Sequence, residues 1–591
     1  MKKQSMFKTA IGDLTPSVSN HGNYWQFSCI TDCKSLDLCI YDDSLKEITR
    51  IDMIPFKVSG KFYSVRVYEI DMCDKYYRFI IDGCFDSDGY ERAVFPLYNW
   101  NEKHDYESHY LKAYDFAEGD KDEHLHIDQS DVIAYQLHVR GFTYHESSKV
   151  KYPGTFLGVT EKLKHIKNLG VNQLILMPAY EFDEIDLKNG KLNYWGFSKS
   201  NYFMPKCAYS VENPQAEFKK MVEIFHRNGI EIIMQFYFPV ACNAFLIEEC
   251  LRYWHMEYKV DGFYLIGNRL PTENLCTNPL LTDAKIYIEN AAEIDPNLSI
   301  VNRNITLCSN DYMRSVRRFL KSDGDSVSEF ATRVRYNPRP FYTLNYISNF
   351  NEFCLKDFVS YDFKHNEDNL EHNRDGNSNN FSWNCGVEGE TKKPAIIKLR
   401  KQQMLNAMTM LLLSQGTPMI LSGDEWGFSR KGNNNPYCQD NEISWLNWKR
   451  DRNGKALYDF TKELITLRQN HKILHMNEPL RLIDYKAFSY PDLSYHGEMA
   501  WYPLFEENTR HIGLLFCGRY AKNSDGKEDD YLYIAFNMHW EEKSFGLPAL
   551  PKGKKWECIL DTNVMNAEEV DEVYKESFLV KGRSIRVLIS K

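Results

Sequence analysis

The stretch Lys259-Val-Asp-Gly-Phe-Tyr-Leu-Ile-Gly-Asn-Arg-Leu270 decides the fold. Its short apolar centre reads as a buried strand. Ala244–Trp254, just before it, has helical spacing. Further upstream the same alternation recurs. Val132–Thr143, Val171–Pro178 and Ile230–Phe238 read as buried strands, while Gly158–Gly170 and Phe218–Gly229 read as helices that stop at glycine. Strands and helices in strict alternation build a parallel sheet with crossover helices.

Carried on to about residue 475, the pattern leaves room for eight units and a closed barrel. The expected fold is therefore α/β: a (β/α)8 TIM barrel over 131–478, flanked by two β-domains. Residues 1–105 contain short, partly alternating runs such as Leu36–Tyr41, Phe62–Val67 and Tyr76–Ile81, separated by Asp, Gly and Ser turns, and read as a β-sandwich. Residues 106–130 are polar and acidic and read as a linker. Residues 479–591 return to short strands, with Met499–Pro503, Ile512–Phe516, Tyr531–Asn537 and Ser584–Ile589 as the runs of a C-terminal antiparallel domain.

Hydrophobic residues make up 43% of the 591 and charged ones 26%, as in a soluble globular protein. A formal net charge of −10, spread along the chain, argues against nucleic-acid and anionic-membrane partners. No apolar run approaches membrane-spanning length, and the first residues lack the apolar core of a signal peptide, so a cytoplasmic location is expected. Fifteen scattered cysteines, without C-x-x-C pairs, fit buried reduced thiols. His124, His126 and His138 have no metal-ligand spacing, and no phosphate-binding glycine loop is present, so neither metal nor cofactor is expected. Aromatic residues reach 14%, enough to suggest surfaces that stack on sugars. For Trp25, Tyr63 and Trp100 core packing is the preferred reading.

Several long motifs are more specific. Asn193–Phe203, Val359–Gly376, Phe381–Gly389, Ser414–Gly427 and Gly432–Trp445, together with Val260-Asp-Gly-Phe263, resemble the isoamylase and bacterial glycogen-debranching branch of glycoside hydrolase family 13, the α-amylase clan. The resemblance covers nearly the whole chain. Tyr77–Gly83 lies in a region similar in layout to carbohydrate-binding module 48.

The resemblance implies a retaining mechanism with a carboxylate nucleophile on the fourth strand, a carboxylic acid ending the fifth, and a third carboxylate after the seventh. The fourth-strand position holds Ile266, with Tyr264 where the family has arginine. The fifth strand is expected at Leu298–Asn304, which puts Asn302 at the acid. The third position holds Asn351, preceded by Phe350 in place of histidine. The third strand carries Gln235, Pro239 and Val240 where the family has Asp, Asn and His. Only Pro239–Lys259 separates this strand from the next motif, so part of the family's cleft wall is expected to be missing. Amides and an isoleucine cannot replace carboxylates in these roles, so no catalytic residue is assigned.

Tyr194, Trp195, Phe197, Trp383 and Asn434 are the candidate substrate-binding residues, with Asn434 equally explicable as a loop brace. The leading reading is an inactive α-glucan-binding or regulatory protein, with glycogen, starch or a maltooligosaccharide as ligand and an active glucan enzyme as a further partner. The alternatives are an active α-1,6-glucosidase with relocated carboxylates, such as Glu352 or Glu273, and a protein-interaction scaffold without sugar binding.

Overall fold

The computed structural model describes residues 7–101, 107–114, 123–186, 190–198, 200–240, 242–289, 304–308, 310–338, 340–523, 525–564, 573–574 and 576–591. Eight parallel strands close into a barrel in chain order: β1 Ala134–Leu137, β2 Gln173–Leu176, β3 Glu231–Phe238, β4 Gly262–Gly267, β5 Lys285–Ile288, β6 Ile305–Cys308, β7 Tyr342–Asn345 and β8 Thr417–Leu421. The (β/α)8 expectation is met. Among the described residues no helix is long and apolar enough to cross a membrane.

The opening motif explains itself at β4. Gly262 lies so close to its neighbours that a Cβ would stand 2.3 Å from the Lys285 carbonyl oxygen and 2.9 Å from Ile233 Cδ1. Only glycine lets β4 fit between β3 and β5 there. The adjacent Asp261 is buried and is an anchor. One oxygen accepts from His226 Nε2 at 2.8 Å and from the Ile232 amide at 2.7 Å, and the other accepts from the Leu125 amide at 3.0 Å. The helix Ala244–Tyr258 ahead of it starts at Asn243, whose side chain accepts from the Leu246 amide, and ends at Lys259 in a left-handed conformation.

The fifth strand differs from expectation. It is Lys285–Ile288, paired with β4 from Gly262↔Lys285 to Leu265↔Ile288. The stretch expected in its place lies later, and Asn302 falls outside the described residues.

The N-terminal region packs two antiparallel sheets over a core that includes Phe27, Leu38, Ile40, Val65 and Phe79. Tyr110–Lys112, within the stretch read as a linker, pairs in one of these sheets. Trp25 and Tyr63 are buried in this core. The C-terminal region holds a six-stranded antiparallel sheet and a two-stranded one. Met499–Pro503 is not one of its strands: Met499 and Tyr502 form only an isolated bridge, and each is 66% exposed.

Candidate functional site

Strand parity determines which side chains face the barrel axis, because alternate residues point to opposite faces. Ile175, Ile233, Tyr264, Tyr287, Cys308, Leu344, Tyr346 and Met419 form one buried cluster inside the barrel. At the N-terminal end this plug rests on a polar floor. Lys285 Nζ donates to Glu231 at 2.6 and 2.8 Å, Gln173 Nε2 donates to Glu231 Oε2 at 2.7 Å, and Tyr287 Oη donates to Gln173 Oε1 at 2.7 Å.

The C-terminal end, where such barrels place their chemistry, is aromatic. Ile266 is half-buried there and packs against both the inner plug and a second cluster of Met177, Tyr194, Trp195 and Phe350. Phe197 stacks on Tyr237, with ring centroids 5.4 Å apart and planes 15° apart. Phe350 meets Phe197 and Trp195 edge-on at 5.3 and 5.1 Å. Tyr194 is buried and stacks on His138 at 4.0 Å. That imidazole donates from Nε2 to the Tyr194 carbonyl at 2.9 Å and accepts the Gly141 amide at Nδ1, 3.1 Å away. Burial lowers its pKa to about 4, so it stays neutral. Gln235 on β3 faces the same side as Tyr264 and is fully buried, and neither of its side-chain polar atoms has a hydrogen-bond partner.

One carboxylate does stand at this end. Glu289 follows Ile288 directly, at the inward parity of Tyr287, so it and not Asn302 ends the fifth strand. Sequence reasoning missed it by assigning the strand to a later apolar run. The Glu289 side chain is open to solvent, yet enough protein surrounds it that burial raises its carboxyl above the usual range. Its charge also helps push the Tyr264, Cys308 and Tyr346 ionisations up, behind the larger effect of burial. A carboxyl with a raised pKa can hold a proton for transfer.

The remaining positions offer no second acid of that kind. Asn351 is exposed, and its amide donates to Asn349 Oδ1 at 3.1 Å. Glu352 is buried instead, 3.6 Å from the Arg317 guanidinium and accepting from Asn377 Nδ2 at 3.0 Å. Glu273 lies exposed in the first turn of the helix Thr272–Thr277.

The substrate-binding candidates divide. Tyr194, Trp195 and Phe197 come together around the mouth. Trp383 does not join them: it packs under the Arg583 guanidinium of the C-terminal domain at 4.4 Å. Asn434 is fully buried, with its amide group donating to the Asn377 carbonyl and Asn380 Oδ1 at 2.7 Å each and its oxygen accepting from Asn366 at 2.9 Å. It braces two loops and has no surface for a ligand. Among the described residues the one group with metal-ligand spacing is His471, Asp529 and Asp530. There His471 already bonds Asp529 at 2.7 Å and Lys554 bonds Asp530 at 3.2 Å.

Comparison with known proteins agrees with this architecture. Residues 496–589 match the family described as "Isoamylase, C-terminal". The chain is 30% identical over 532 residues to "Isoamylase SU1, chloroplastic" of Zea mays, covering 73% of this chain and 65% of that protein. It is also 30% identical over 549 residues to the "Glycogen operon protein GlgX homolog" of Mycobacterium tuberculosis, covering 78% of this chain and 76% of the relative. Among solved structures, the catalytic module of the glycogen-degrading pneumococcal virulence factor SpuA superposes with a TM-score of 0.74 at 17% identity, over 98% of this chain and 97% of that one. The GBS pullulanase SAP in complex with maltotetraose superposes at 0.72 and 16% identity, over 98% and 88%. On its motifs, its barrel and these relatives, the chain belongs to the isoamylase-type debranching branch of glycoside hydrolase family 13.

Proposed function

We propose that this protein binds α-glucan at the barrel mouth without hydrolysing it by the retaining mechanism. The observation that carries the reading is Ile266: where the resemblance places the nucleophile, an aliphatic side chain packs between the barrel plug and the aromatic cluster. A retaining mechanism needs two carboxyl groups about 5–5.5 Å apart, one of which must attack carbon. An isoleucine cannot. The aromatic faces of Phe197 and Tyr237 and the maltotetraose of the similar pullulanase support an α-glucan as ligand. The sandwich aromatics Trp25 and Tyr63 are buried, which favours the mouth over them.

Affinity electrophoresis through glycogen, with a reducing-sugar assay on the same branched glucan, tests the reading. Retardation is expected, reduced by Phe197→Ala, with no sugar released. Unretarded migration would refute binding and favour an interaction scaffold.

A second reading rests on Glu289, the carboxylate at inward parity directly after β5. It holds that the protein hydrolyses a glucan branch with Glu289 as acid. Sugar release that disappears in Glu289→Gln would establish it and sink the first.

A further inference from the structure

Away from the mouth, a cavity of about 600 Å³ opens between the segment after β8, the helix Pro394–Leu412 and the start of the helix Arg452–Asn470. None of its lining residues belongs to the aromatic cluster at the mouth. Its wall carries six cations: Lys356, Arg400, Lys401, Lys431, Lys449 and Arg450. Against them stand Glu390, Glu442 and Asp451, and the Asp451 carboxylate caps the helix by accepting the Gly454 amide at 2.7 Å.

Among the described residues none of the six cations lies within ion-pair distance of a carboxylate. Arg400 donates only to carbonyls, including those of Gly389 at 2.7 Å and Asn384 at 2.9 Å. Lys401 reaches Asn453 Oδ1 at 3.3 Å. Arg450 donates to His165 Nδ1 at 2.9 Å and lies over the Trp426 ring at 4.5 Å. Burial lowers the pKa of both Arg400 and Lys401, the sign of desolvated charge without a full counter-charge.

Cations that meet only neutral partners favour an anionic acceptor in the cavity they line.

We propose that this cavity is a binding site for a phosphorylated sugar, separate from the barrel mouth. Its size lies within the range of small-molecule sites. The cations match the phosphate. The rings of Tyr361 and Phe428 match the apolar face of a sugar ring, and Glu390 and Glu442 can accept its hydroxyls. A site for a bare anion would have no use for the rings or the carboxylates.

Isothermal titration of the full chain with glucose 1-phosphate, inorganic phosphate and glucose, repeated as thermal shifts, provides the test. Glucose 1-phosphate is expected to bind saturably and at least tenfold more tightly than either component. Lys431 and Lys449 are exposed, so Lys431→Glu with Lys449→Glu should leave the melting temperature of the free protein unchanged and weaken that binding at least tenfold. Arg450→Gln should weaken it further. Absence of saturable binding, equal binding of inorganic phosphate, or affinity unaffected by the double charge reversal would each overturn the proposal.

Discussion

The two ends of the barrel have been treated differently. At the floor, polar side chains are paired: Glu231 with Lys285 and Gln173, Asp261 with His226 and two backbone amides. At the mouth, Ile266 and Phe350 fill positions where the family's polar machinery is expected, Gln235 is buried with no partner, and Glu289 stands without a nucleophile beside it. In such barrels the N-terminal face serves stability and the C-terminal face serves chemistry. The contrast is that the floor is held by paired polar groups while the mouth is packed with apolar and aromatic side chains. Active-site groups often cost a fold stability, so apolar residues at such positions are compatible with a stable barrel.

The sharpest way to break the contrast is to disturb the floor. Lys285→Met leaves Glu231 fully buried without its cation, and the expected loss is about 3–5 kcal/mol in urea unfolding. A loss under about 1 kcal/mol would mean that the floor is no more important than the mouth.

The next effect is a pH dependence at the mouth. Burial holds the His138 pKa at about 4, below the ordinary value of about 6.5 in an unfolded chain. As pH falls, the unfolded state takes up the proton first, so stability is full above the unfolded pKa and is lost as pH falls towards the folded one. Over that window His138 contributes a loss of about 3 kcal/mol. Burial lowers the pKa of His496 in the C-terminal domain in the same direction, so the measurement is the difference between wild type and His138→Gln across pH 4–7. Parallel stability profiles would remove His138 from the account.

Smaller is Ile266→Asp, which places a charge among aromatic rings. It is expected to destabilise by about 1–3 kcal/mol without restoring hydrolysis, because Asn351 and Gln235 remain. An unchanged melting temperature would mean that the mouth is wet. Recovered hydrolysis would mean that Glu289 and the surviving groups suffice.

The smallest effect has the opposite sign. Gln235→Met keeps the volume and removes two unpaired polar atoms, and is expected to stabilise by about 1 kcal/mol. Destabilisation would show that the amide has a partner, such as a bound water or ligand.

Much of the site was legible in advance because a strand's period of two is rigid. Counting from Gly262 places Ile266 at the mouth, and counting from Asn345 places Phe350 and Asn351 after the seventh strand. Asn351 is exposed between the buried Phe350 and Glu352 in the turn that follows β7. Tyr194, Trp195 and Phe197 were legible because they share one short motif. Asn434 and Trp383 were not, because their surroundings come from distant segments: residues 366–380 around the first, Arg583 beside the second.

The sequence by itself determined the family, the barrel and that Ile266 stands where the resemblance expects a carboxylate. Each depends on residues close together in the chain or on a repeating local pattern, and Val260-Asp-Gly-Phe263 together with Ile266 suffices for the last. Only the tertiary structure decided where β5 lies, and with it that a carboxylate, Glu289, stands at the mouth. Lys285–Ile288 and the run near Ser299–Val301 are both short and apolar, and local propensity cannot rank them. What selects the first is its hydrogen-bonded register with Gly262–Leu265 and the fit of Gly262 against the Lys285 carbonyl, contacts that exist only once the barrel has closed.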